Sequence, residues 1–293
     1  MDLLKSALLN AYYVGSQPVR WWNDRQTRAD GRAPAVILFY HRVADNLLNE
    51  WSITNEMFAR QIEWLENQFE FVTLKEAQRR IRSGINARPT VSITFDDGYA
   101  ENCQSAIPLV VKKQIPCTYF VTANNVLNGE PFDHDLVMGN RLPPNNLEQL
   151  LAMSEAGIEI GAHCCNHVDL GRITDKKLLY DEIAVSGQIL QEAIKRPVRY
   201  FAFPIGQYAN LNAQAFEIAR EAGYEGVCSA YGGYNFPGED PFHLQRIATE
   251  NNLISLKNRA TVDPRKIKTL RYVYEQNVAN EAYQHQEVEP NSA

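Results

Sequence analysis

Short apolar runs separated by helix-length stretches constrain this chain more than any other feature. Val36 to Tyr40, Val91 to Phe95, Cys117 to Thr122, Ile158 to Ala162, Tyr200 to Phe203 and Gly226 to Ala230 are rich in β-branched and aromatic residues and too short for helices. Helical spacing fills the gaps, over Phe58 to Phe69, Cys103 to Lys113, Leu147 to Ala156, Asp175 to Ile194 and Ala213 to Ala222. Such alternation predicts a parallel sheet with helices outside it. Several runs end directly in polar, chemistry-bearing residues, which puts a site after several different strands and favours a barrel over an open doubly wound sheet. The open sheet remains the alternative, but no Gly-rich phosphate loop follows the first strand. The expectation is an α/β barrel in one domain, which 293 residues with 45% hydrophobic content can build.

The domain reading is a 1–34 N-terminal extension, a barrel over 35–283 and a polar 284–293 tail expected to be disordered. A net charge of −6 with a pI near 5.6 argues against a nucleic-acid-binding face. Five Cys without paired-motif spacing point to a reducing compartment. In the extension, Leu3, Leu4, Ala7, Leu8 and Ala11 recur at helical spacing, and Trp21 and Trp22 follow with Arg20 and Arg25. The apolar stretch is too short and too interrupted for a cleavable leader or a bilayer span. It reads as an amphipathic segment resting on a membrane or, equally, as a helix packed on the barrel, so the expected location is cytoplasmic or membrane-peripheral.

The strand-like Val91-Ser92-Ile93-Thr94-Phe95 runs straight into Asp96-Asp97-Gly98. Alone, Asp-Asp-Gly is ordinary turn chemistry. On an extended backbone the two carboxylates face opposite ways unless the turn at Gly98 swings them together, so one can ligate a metal while the other handles a proton. Downstream, Gly161-Ala162-His163-Cys164-Cys165-Asn166-His167 places two of the six histidines four residues apart after another strand. That spacing can share one side of a helical turn, and two His with one carboxylate form a recurrent catalytic set for zinc or a similar ion. Cys164 and Cys165 read as small buried residues rather than ligands.

These segments resemble the first two motifs of the polysaccharide deacetylases, the family with the chitooligosaccharide deacetylase homology domain. Phe201-Ala202-Phe203-Pro204-Ile205-Gly206 is similar to that family's Phe-Arg-x-Pro-Tyr-Gly run, with Ala202 in the arginine's place and Ile205 in the tyrosine's. The resemblance covers roughly residues 36 to 247 and implies a distorted (β/α)7 barrel. It implies that Asp97, His163 and His167 hold a divalent ion, most probably as in the family's zinc enzymes, and that Asp96 is the general base. The backbone N–H of Ile205, set by Pro204, would hold the oxyanion whatever the side chain.

Departures from the family pattern leave two roles open. The family arginine orients the base; Arg246 is the candidate substitute, with a surface salt bridge as its alternative. No Asp-Trp motif and no C-terminal Leu-x-His are present to supply the general acid that an amine leaving group requires. His41, ending the apolar run Ala35 to Tyr40, is the leading candidate, as in the branch that includes poly-N-acetylglucosamine deacetylases; His243 is the competitor. Segments 128–135 and 231–236 combine polar and aromatic residues suited to sugars, though both compositions also make ordinary loops. The expected activity is metal-dependent N-deacetylation of an amino sugar in a polysaccharide, oligosaccharide or lipid-linked glycan, with an N-acetylated glycan as partner. The alternatives are hydrolysis of a small non-peptide amide and an inactive glycan-binding barrel.

Overall fold

The computed structural model describes residues 3–267 and 270–274, so the expected 284–293 tail and the end of the 35–283 domain lie outside the described residues. Strands β1 (Ala35–Tyr40), β2 (Thr90–Phe95), β3 (Cys117–Val121), β4 (Glu159–Ala162), β5 (Tyr200–Ala202), β6 (Gly226–Cys228), β7 (His243–Leu244) and β8 (Ile247–Ala248) form one parallel sheet. Their spatial order is β7-β6-β5-β4-β3-β2-β1-β8, and the two-residue strand Glu70–Phe71 pairs with β2.

The two ends of that order are neighbours in sequence. β7 pairs with β6 through His243↔Val227 and Leu244↔Cys228, while β8 pairs with β1 through Leu38↔Ile247 and Phe39↔Ala248. Only Gln245 and Arg246 separate them, so 243–248 is one broken stave that ties the last strand to the first. Counting it once gives the seven-stave barrel expected from the motifs. At the break the Asn235 side chain replaces the missing ladder partner, its Oδ1 accepting from the Gln245 N–H at 2.8 Å and its Nδ2 donating to the Gln245 carbonyl at 2.8 Å. This is a structural use for the 231–236 segment, whose Tyr234 hydroxyl also donates to the Arg259 carbonyl.

Strand alternation divides the core in two. Val36, Leu38, Tyr40, Val91, Ile93, Phe95, Tyr119 and Val121 face outward into a large cluster shared with the helices, including Phe58, Ile62 and Leu65 of α2 (Asn55–Glu66). Ala35, Ile37, Phe120, Tyr200, Ala202, Cys228 and Leu244 form the second cluster, inside the barrel. Helix α3 (Leu74–Ser83), which the sequence reading did not assign, closes the barrel at the N-terminal ends of the strands. Leu74, Ala77 and Ile81 join the inner cluster, and Gln78 Nε2 donates to the carbonyls of Glu225 and Pro241. Its signals were present: Thr73 caps the Glu76 N–H, and Gly84 adopts the left-handed φ that ends the helix.

With one end plugged, chemistry is left to the other. The N-terminal helix α1 (Leu3–Ala29) packs along the helix Leu253–Ala260 outside the barrel.

Candidate active site

The site is built at the C-terminal ends of β1, β2, β4 and β5. The Asp96 N–H donates to the Tyr40 carbonyl at 2.8 Å, continuing the β1–β2 ladder, so Asp96 stays on the inner face with Ser92 and Thr94. Asp97 itself then turns, with φ 70°, before Gly98 at φ 105°. Asp tolerates this left-handed region better than most residues, and the reversal brings both carboxylates to the mouth of the barrel. Their walls form a cleft of about 710 Å³ that also receives His41, His163, His167, Phe203 and Ile205.

Arg246 leaves the broken stave and points inward beneath the cleft. It grips Asp96 with two parallel bonds, Nη1 to Oδ1 at 2.6 Å and Nη2 to Oδ2 at 2.8 Å. Its Nε donates to the Ser229 carbonyl at 3.0 Å, and its guanidinium lies over the rings of Phe39 and Phe120. Both charges are buried. Burial alone would raise the Asp96 pKa, but Arg246 outweighs it and holds the carboxyl below its ordinary value. The place the family gives to arginine holds Ala202, whose carbonyl accepts from His163 Nδ1 at 2.8 Å.

That bond fixes the His163 tautomer and turns the Nε2 lone pair toward Asp97. Nε2 of His163 and of His167 lie 3.4 and 3.2 Å from Asp97 Oδ1, and all three ligand atoms fall within 4.8 Å of one another. Asp97 Oδ1 is buried without a hydrogen-bond partner. Electron pairs converging on a buried, unpaired carboxylate oxygen fit a divalent cation, and the donor set suits zinc. Despite burial, the surrounding imidazoles hold the Asp97 carboxyl well below its ordinary value.

The histidines do not share a helical turn, in contrast to the expectation from their spacing. Cys164 and His167 have φ of 65° and 53°, so the segment is an irregular turn whose left-handed residues aim both rings inward. Glu182 holds it. Its Oε2 accepts the N–H groups of Cys165 and Asn166 at 3.0 and 2.9 Å, and its Oε1 accepts from Asn166 Nδ2 at 2.6 Å. Glu182 lies in a π-helical turn, Asp181–Val185, within the helical run expected for 175–194. Sequence reasoning missed this residue. Both thiols of the turn are buried, and burial pushes that of Cys165 up to about 12; neither belongs to the ligand cluster.

His41 follows β1 directly and lines the cleft. Asn102 Nδ2 donates to its carbonyl at 2.7 Å, while its ring makes no hydrogen bond to any described residue. Burial lowers its pKa against the opposing pull of Asp97 and Asp96. His243 is elsewhere. Its ring is fully buried, bonded through Nε2 to Ser229 Oγ at 2.9 Å and packed on Phe216, and it does not reach the cleft.

Ile205 does reach it. With φ 61° it is a β-branched residue in the left-handed region, about 1–3 kcal/mol of strain held in place by the turn after Pro204. Its N–H has no backbone partner among the described residues.

Segment 128–135 contributes more than its composition indicated. His134 stacks on Phe132, and its ring centroid lies 5.1 Å from that of His167. The Tyr99 hydroxyl donates to Asp135 Oδ2 at 2.7 Å and lies 2.9 Å from His134 Nε2, so this nitrogen carries the proton and donates to Tyr99. Glu50 and Trp51 complete this wall from a loop anchored by the buried Arg42–Glu101 pair. None of these residues was singled out by motif. Segment 231–236 faces the barrel seam instead.

A polysaccharide deacetylase family profile matches residues 83–227. The chain is 26% identical to YxkH of Bacillus subtilis, named for that family, over 66% of this chain and 63% of the relative. It thus spans less than two thirds of that protein's length. A Staphylococcus aureus poly-β-1,6-N-acetyl-D-glucosamine N-deacetylase is 25% identical, over 73% of this chain and 78% of its own. Among solved structures, IcaB from Ammonifex degensii superposes with a TM-score of 0.66 at 25% identity, over 78% of this chain and 98% of that one. A Streptococcus pyogenes deacetylase, PplD, shares the fold with a TM-score of 0.65 at 20% identity. The motif order, the barrel and these likenesses agree: this chain belongs to the polysaccharide deacetylase family.

Proposed function

We propose that this protein is a metal-dependent hydrolase that removes N-acetyl groups from amino sugars of a glycan, releasing acetate. One observation carries the reading: a buried Asp97–His163–His167 cluster sits beside a second carboxylate, Asp96, that Arg246 keeps ionised and oriented. A divalent ion held by the three ligands, zinc being the proposed one, polarises the scissile carbonyl and acidifies water. Asp96 is positioned to take the proton of the attacking water, with Arg246 fixing both of its oxygens. The Ile205 N–H donates to the carbonyl oxygen as negative charge develops there. His41, across the cleft with its ring uncommitted, delivers a proton to the departing nitrogen.

An open cleft of about 710 Å³ supports a sugar-chain substrate over a small amide, for which a narrow enclosed pocket is expected. The intact ligand set and base favour an enzyme over a binding barrel. A reducing compartment is part of the same proposal, supported by five cysteines that are all free thiols.

The test is acetate release from N-acetylated glucosamine oligomers by zinc-loaded protein. Asp96→Asn and chelation should each abolish release, and His41→Ala should lower turnover more than His243→Ala. Full turnover by Asp96→Asn would remove the assigned base.

A further inference from the structure

Helix α1 is inserted inside out. Amphipathic helices usually bury their apolar face against the domain. Here the buried or half-buried positions are largely polar: Ser6, Tyr12, Tyr13, Ser16, Gln17, Arg20, Asn23, Asp24 and Thr27 recur every three or four residues. This face is clamped by specific bonds. Arg20 Nη1 donates to the carbonyls of Asn258 and Thr261 at 3.1 and 2.8 Å, and Nη2 to Asn258 Oδ1 at 3.0 Å. Tyr12 donates to Asp263 at 2.7 Å, and Arg265 lies over the Tyr12 ring. The helix therefore cannot roll to hide its other side without breaking a buried guanidinium network.

The outward side carries the apolar residues. Leu8, Val14, Val19, Trp21 and Trp22 are 62, 69, 50, 59 and 57% exposed. At 100° per residue they fall on one stripe, which a 27-residue helix extends over about 40 Å. No described helix is long and apolar enough to cross a membrane.

We infer that this stripe is a docking face for an anionic lipid surface, on which α1 lies flat. Charge and composition select that occupant. Between residues 3 and 29 the exposed charges are Lys5, Arg25 and Arg28 against Asp24, a positive balance in a chain of net charge −6. Arg25 stacks on Trp21, and aromatic rings interleaved with arginine suit the boundary between headgroups and acyl chains. A second copy would place the same positive stripe against itself.

The experiment is co-sedimentation of the full chain with phosphatidylcholine vesicles containing or lacking phosphatidylglycerol, at low and high salt. Binding at low salt should be at least tenfold tighter with phosphatidylglycerol and weaken with salt. Trp21→Ser/Trp22→Ser should lower it at least tenfold, and so should Arg25→Glu/Arg28→Glu, with Tm and circular dichroism unchanged because these side chains face solvent. Equal affinity for both vesicles, no binding to either, or wild-type binding by these variants overturns the inference. So does a self-association, read by analytical ultracentrifugation, that the same variants abolish.

Discussion

Replacing Arg246 with methionine isolates what orients the base. The side-chain volume is largely kept, while the Asp96 carboxylate, 2% exposed, loses both of its short charge-assisted bonds. Breaking one partner out of a buried ion pair costs about 3–5 kcal/mol, because the remaining charge stays desolvated. The pH dependence has a definite sign. In the wild type, burial opposes ionisation of Asp96 but Arg246 overrides it, so its folded pKa lies below the ordinary value and its stabilisation is present above that value and lost as pH falls through the folded pKa. In Arg246→Met burial acts unopposed by its main counter-charge, the folded pKa rises, and the loss of stability is largest at neutral pH and shrinks on acidification. The assay is urea unfolding of metal-free wild type, Arg246→Met, Asp96→Asn and the double variant at pH 7. A coupling of about 3 kcal/mol is expected, with the double variant more stable than the sum of single losses predicts. A coupling below about 1 kcal/mol would refute the claim that this pair is a strong, desolvated unit.

Three further outcomes follow from neighbouring geometry. Ala202 points into the same inner cluster as the Arg246 guanidinium, so Arg246→Ala/Ala202→Arg should recover at least tenfold of the turnover that Arg246→Ala loses, measured as acetate release. Glu182→Gln keeps an acceptor for the turn but not the whole set, and should weaken zinc affinity about 10–100-fold in a competition titration while leaving Tm within a few degrees. His243 is held neutral, its pKa pushed down to about 3 by burial and by Arg271, so its contribution is present above the unfolded value near 6.5 and lost as pH falls toward 3. Between pH 7.5 and 5 this amounts to about 2 kcal/mol, and His243→Phe should flatten that part of the stability profile by urea unfolding.

The strands were legible because β-branched and aromatic runs are local signals, and their ends fell within two residues of the structure wherever a polar turn followed. The carboxylates and histidines of the site were legible for the same reason, since each follows such a run. Their convergence was not. It depends on left-handed backbone at Asp97, Cys164 and His167, which periodicity does not encode. Glu182 was hidden because its partners are backbone N–H groups 16 residues upstream in another element, a relation that leaves no residue pattern. Arg246 drew notice only from lying in a late strand-like segment; the broken stave that aims it arises from pairing two edges with one segment. For α1, helical spacing showed an apolar face, but which face meets the barrel was settled by a buried arginine network at the far end of the chain.

The split stave 243–248 also sets when the site comes into being. During synthesis, Asp96 emerges about 150 residues before the arginine that neutralises it, so a nascent barrel carries a buried acid with no counter-ion. Ring closure and base activation are then the same event: the two residues that join β7 to β8 both seal the sheet and deliver the guanidinium. Catalytic competence thus reports on completion of the fold, and a partly closed barrel is silent even with Asp97, His163 and His167 already in place.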